Sequence, residues 1–282
     1  MTEVLREIPD ASRLYLKAAG TLTKKPKDTP TLPTSSVRVE RVSADAGHLA
    51  EYAAICGFEE TTHLPITFPH VMAGALHLYL MTQKPFPFPL LGLVHIRNEI
   101  RQHQALTADG VFDLQVRIGE ARSVRQGIEF DLLTEALRDG EALWSETSTI
   151  LHRRPAPKSA VAPRPQPPAS LAEYRSFSAP ADIGRRYAKV GRDYNPIHLA
   201  PWTARLFGFK RHIAHGMWSA ARCAAVLERE LGRAPKELSV QFKQPLFLPG
   251  KVALKFVRGR DGIDFSLLSA RSDKTHLTGV LR

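Results

Sequence analysis

The 282 residues hold only two cysteines, Cys56 and Cys223, and these lie far apart. They match no disulfide or metal-ligand spacing, which excludes a stapled secreted scaffold and a cysteine-held zinc site. No apolar run approaches the ~18 residues that a membrane-crossing helix needs. The opening stretch, MTEVLREIPD, places Glu3, Arg6 and Glu7 where a signal peptide would have its apolar core. A reducing cytoplasm is therefore the expected location, with no membrane partner. Nucleic-acid signatures are lacking too, since no arginine-rich helix, aromatic RNA-binding motif or Cys/His finger is present.

The charge balance is nevertheless basic, at +11. Part of the excess is local. RRPAPKSAVAPRPQPP contains Arg153, Arg154, Lys158 and Arg164 without an acid, and TKKPKD adds three lysines near the start. Without a nucleic-acid motif, such a surface suits an anionic phosphate ligand or an acidic carrier protein. With 43% hydrophobic and 24% charged residues, the composition is that of a globular protein. The length admits one large core or two ordinary ones.

A proline-dense stretch divides the chain. Six prolines fall between Pro155 and Pro168, a density that excludes helix and central strand. We read residues 1–153 as one unit, 154–170 as a linker and 171–282 as a second unit. In the second, PADIGRRYAKV reads as a short helix. In IAHGMWSAARCAAVLEREL, Ile213, Met217, Ala220, Ala224 and Leu227 recur at helical spacing. Alternating runs follow at Leu238/Val240/Phe242, Val252/Leu254/Phe256 and Ile263/Phe265/Leu267, parted by LPG and RDG turns, and THLTGVLR makes a last strand.

The first unit repeats this order. The apolar helix FPHVMAGALHLYLM precedes strand-like LLGLVHIRNEIRQ, VFDLQVRIG, GIEFDLLTEAL and ALWSETSTILH. Two copies of one α+β unit are the economical reading. Pairing PHVM (Pro69 to Met72) with AHGM (Ala214 to Met217) sets Val71 opposite Gly216. The first copy has no counterpart of the segment GRDYNPIH that occurs in the second, so only the second is expected to carry chemistry.

That segment, Gly191 to His198, allows two readings. Asn-Pro initiates turns, Asp193 can cap the following segment, and His198 can fill a polar niche. Alternatively, Pro196 stiffens the bend and Asp193 and His198 face one cavity. A carboxylate and an imidazole so placed suit proton transfer near neutral pH, and Asn195 offers both donor and acceptor atoms. Gly216 would open a long helix, where backbone N–H groups lack partners and can meet a ligand oxygen. Equally, Gly216 could serve close packing alone. His198, His212 and His215 show no Glu-flanked or Cys-paired spacing, so no metal is expected.

YAKVGRDYNPIHLAPWTARLFGFKRHIAHGMW, together with FKQPLFLPGKV, resembles the signature region of the MaoC-like dehydratases, the (R)-specific enoyl-CoA hydratase family. The resemblance implies an α+β double hot-dog, in which each long central helix is wrapped by an antiparallel sheet. It further implies Asp193 and His198 as the acid–base pair, Asn195 assisting the water, and the Gly216 N–H holding a thioester oxygen. His215, Arg192 and Met217 would contact substrate. The implied substrate is a coenzyme A or acyl carrier protein thioester, with no cofactor, and pairing of two chains follows by analogy. A hot-dog thioesterase or a non-catalytic acyl-binding subunit is the competing reading. The family's usual Ser-Gly before the aspartate is Gly191-Arg192 here. The first unit would house the acyl tail, with Ala73, Gly74 and Ala75 leaving room and Phe86 and Phe88 lining or closing the space; the alternative is that these residues fill an ordinary core.

Overall fold

The computed structural model describes residues 2–26, 30–59, 62–154, 173–272 and 274–282. The 154–170 linker therefore lies, apart from its first residue, outside the described residues. The first part of the chain contains β1 (Thr2–Leu5), α1 (Ala11–Ala19), β2 (Ser36–Ser43), α2 (Ala46–Cys56), α3 (Phe68–Thr82), β3 (Val94–Gln102), β4 (Val111–Val124), β5 (Gly127–Arg138) and β6 (Glu141–Arg153). The second contains β7 (Glu173–Ala179), α4 (Ile183–Gly191), α5 (Pro196–Leu199), α6 (Pro201–Arg205), α7 (Gly216–Leu231), β8 (Glu237–Phe242), β9 (Gly250–Arg258), β10 (Ile263–Ser269) and β11 (Thr275–Leu281).

All the strands join one sheet in the order β1-β2-β4-β5-β6-β3-β8-β11-β10-β9-β7. Read outward from the β3–β8 seam, the two sides follow the same path: first strand after the long helix, then the fourth, third and second, then the strand before it. The seam is antiparallel, from Arg97↔Gln241 to Arg101↔Glu237. Alternation produces the inward faces, so Val252, Leu254 and Phe256 are buried on β9 and Ile263, Phe265 and Leu267 on β10. Among the described residues, the one parallel pairing is at the edge, between β1 and β2.

Each long helix lies against its own strands. α3 packs on β2, β4 and β5, and α7 on β8, β10 and β11. Most of α3 is buried, which is why its sequence is apolar on nearly every side rather than on one stripe. The two sides are also clasped through α2, which packs on α4 and α7. Trp218 Nε1–H donates to the Ile55 carbonyl at 3.3 Å, and His48 Nε2 meets the Val190 carbonyl at 2.6 Å. This double hot-dog is the fold expected. The sequence reading missed α1, α2, β1, β2 and β7. It also started the first strand too early, at Leu90, where the chain turns through Gly92 at φ 105°.

Candidate active site

The chain leaves α4 through Arg192, whose φ of 52° is left-handed, and this reverses it into Asp193-Tyr194-Asn195. Asn195 caps α5: its Oδ1 accepts from the Ile197 N–H at 3.4 Å, and Pro196 occupies the first turn. The Asn195 N–H donates back to Asp193 Oδ1 at 3.0 Å. The same oxygen accepts the Tyr15 hydroxyl at 2.5 Å, a contact reaching across from α1.

His198 is 7% exposed and its Nδ1 lies 2.9 Å from the Ile213 carbonyl. A carbonyl only accepts, so Nδ1 carries the proton and the neutral ring keeps its lone pair on Nε2. The Ile213 N–H returns a bond to the Ile197 carbonyl at 3.1 Å, fixing α5 from both sides. His215, the N-cap of α7, donates from Nε2 to the Asp193 carbonyl at 3.0 Å, and that nitrogen is 3.8 Å from Asp193 Oδ2. Its ring stacks on His198 with centroids 3.7 Å apart.

Burial opposes ionisation of Asp193, but the adjoining imidazoles, the Tyr15 hydroxyl and the Asn195 N–H outweigh it and hold the carboxyl at about 2. Burial, assisted by His198, lowers His215 to about 3. Burial also lowers His198, against the pull of Asp193. At neutral pH the site thus holds one carboxylate and two neutral imidazoles.

Gly216 begins α7, where the first N–H groups have no intrahelical acceptor. A Cβ there would stand 3.0 Å from the Phe242 ring, so glycine permits the close seat of this helix end on the seam strand β8. A cavity of about 310 Å³ opens at the seam, a size suited to a small-molecule ligand. Asp193, Asn195, His198, Gly216, Arg192 and Met217 all reach its wall. His215 lines it as well, although its Nε2 is committed to the loop backbone. His212 stands apart, with Nε2 on the Ala181 carbonyl at 2.8 Å. Among the described residues, the group whose ligand atoms all lie within 4.8 Å is Asp193, His198 and His215, not the trio of histidines weighed from the sequence.

The MaoC like domain profile matches residues 156–277. Over 276 residues the chain is 34% identical to 3-hydroxyacyl-thioester dehydratase X of Mycobacterium tuberculosis, covering 95% of this chain and 96% of that one. The chain belongs to the MaoC-like dehydratase family. The solved structure of HtdX from M. tuberculosis superposes with a TM-score of 0.76 at 32% identity, over 88% of this chain and 99% of that one. A shorter stretch of 69 residues, 23% of this chain and 52% of the relative, is 36% identical to the (R)-specific enoyl-CoA hydratase of Aeromonas caviae.

Against the family pattern, the departure at Arg192 now has a physical meaning. It occupies the left-handed position that glycine adopts freely, at a cost of roughly 1 kcal/mol for a residue bearing a Cβ. Two expectations about the first unit need correction. Gly74 does face the cavity, but Ala73 and Ala75 are fully buried away from it, being turned aside by the helical repeat. Phe86 and Phe88 pack with Phe130 at ring separations of 5.4–5.6 Å and belong to the core rather than to the wall of this cavity.

The sequence reading also overlooked several polar groups. Tyr15 is one. In addition, the wall opposite the loop carries His70, whose Nδ1 meets Glu146 Oε1 at 2.7 Å. Asn98 Nδ2 donates to the same oxygen at 2.5 Å. Burial opposes the charge on Glu146, yet His70 and Asn98 hold it at about 2. In return the carboxylate raises His70 despite its burial. His70 was findable, because pairing PHVM with AHGM sets it opposite His215. Glu146 had no local signal, since it joins His70 only through the fold.

Proposed function

We propose that this chain catalyses the reversible hydration of trans-2-enoyl thioesters to (R)-3-hydroxyacyl thioesters. The observation that carries the reading is the shared cavity, which brings together an ionised carboxylate, a neutral imidazole with a free lone pair and the open N-terminus of α7. The relatives named as 3-hydroxyacyl-thioester dehydratase and (R)-specific enoyl-CoA hydratase support it.

A thioester carbonyl makes the β carbon electrophilic. Asp193 and His198 hold a water over it, with Asn195 at the same loop. As the water oxygen bonds to the β carbon, its proton passes to His198 Nε2, and the alkene electrons move to the thioester oxygen as an enolate. The Gly216 N–H, at the positive end of α7, stabilises that oxygen. The imidazolium, made a stronger acid by burial, then delivers the proton to the α carbon on the face that received the hydroxyl. The sum is syn addition of one water, and the reverse sequence is dehydration. The carrier, coenzyme A or an acyl carrier protein, is anionic and meets a basic surface; the acyl tail enters the part of the cavity that runs along α3.

Incubation with crotonyl-CoA tests the reading. Enoyl absorbance should fall while no free thiol appears. Thiol release matching the substrate consumed would make the protein a thioesterase instead.

A further inference from the structure

The N-terminal helix has no place in the chemistry above, yet it touches the carboxylate. Asp10 caps α1 by accepting from the Arg13 N–H at 2.9 Å, and buried Ala11, Leu14 and Ala18 seat the helix against α3. Tyr15 is thereby aimed at the loop, its ring edge-on to Tyr194 with centroids 6.0 Å apart. Its hydroxyl donates to Asp193 Oδ1 at 2.5 Å, and the Asn195 N–H donates to that oxygen as well. Oδ1 is therefore occupied by two donors, and Oδ2 is the oxygen left for the reacting water.

The geometry points to Tyr15 as a positioning residue of the acid–base site, which orients the Asp193 carboxylate and keeps it ionised from the N-terminal helix. The surrounding charges explain why a neutral donor is needed. The groups around Asp193 are His198 on α5, His215 on α7, Tyr187 and Arg192 at α4, and, farther off, His70 on α3 and His95 on β3. Both adjoining imidazoles are neutral at pH 7, so near neutrality the direct stabilisers of the charge are the Tyr15 hydroxyl and the Asn195 N–H. Charge-assisted bonds of this kind are the strong ones.

The inference rests on the hydratase reading, and the test separates the two. Tyr15→Phe deletes one hydroxyl from the full-length protein. On an enoyl-CoA, kcat should fall roughly ten- to hundredfold with KM little changed, the loss expected for one hydrogen bond to a charged group. Independently of any turnover, carbon-13 NMR of the Asp193 carboxyl, assigned by its absence in Asp193→Asn, should show a higher titration midpoint in Tyr15→Phe. Should that variant fail to fold, 3-fluorotyrosine at position 15, a stronger donor of nearly the same shape, should move the midpoint down. A purely structural tyrosine would lower Tm and rate while leaving the midpoint where it was. An unmoved midpoint in either folded variant overturns the proposal.

Discussion

Gly74 offers a way to test the cavity by filling it. It sits in the interior of α3 on the face that lines the cavity, and an added Cβ would meet only the Gly191 carbonyl oxygen, at an ordinary 3.8 Å. Gly74→Leu should therefore project an isobutyl group into space that an acyl chain would use. If the leucine denies burial to about three methylenes of a long chain, at ~0.8 kcal/mol each, the loss is about 2.4 kcal/mol. That corresponds to roughly fifty-fold in kcat/KM. Crotonyl-CoA, with one methyl beyond its double bond, should retain most of its turnover. The fold should not suffer, because removing a glycine from a helix interior favours the helix by up to about 1 kcal/mol. Enoyl absorbance followed for crotonyl-CoA and a dodecenoyl-CoA, beside a thermal melt, gives all three numbers. An equal effect on both substrates in a folded protein would refute the assignment of this half of the cavity to the acyl tail.

Asp193→Asn and His198→Ala should each lower hydration by about 10²–10⁴ with little change in Tm, as for other general acid–base groups; near-parent rates in both would remove them from the mechanism. Gly216→Ala should cost roughly 1–3 kcal/mol of stability through the Phe242 contact, and adding Phe242→Leu should restore much of the melting temperature. The rate should be level around pH 7 and fall only on the acid side, because His198 must be neutral and burial lowers it. Stability should fall on the same side. His77 and His215 are held at about 3 and His95 at about 4, while the unfolded chain binds protons near 6.5. Between those limits each histidine contributes a slope of up to about 1.4 kcal/mol per pH unit, so melts from pH 7 to 4 should show a steep decline.

What the sequence made legible follows from the range of the interactions. Strands β8 to β11 and both long helices were readable because alternation and helical spacing are local signals. The loop from Asp193 to His198 was readable because its stiffness and chemistry lie within six residues. Edge elements such as β1 and β7 carry little pattern of their own. Tyr15 reads only as one position on a helix until α1 lies across α3. Glu146 and His70 become partners through β6 and α3, 76 positions apart in the chain. Phe86 and Phe88 have the composition of a cavity wall, and the tertiary contacts with Phe130 make them core instead.

The claim that this loop adds water across an enoyl thioester is tested most directly by stereochemistry. Hydration of trans-2-enoyl-CoA in deuterium oxide, with the product read by NMR and chiral chromatography, should give the (R)-3-hydroxyacyl thioester with deuterium at C2 on the face bearing the new hydroxyl. An (S) product, deuterium on the opposite face, or free acid with released thiol would contradict it.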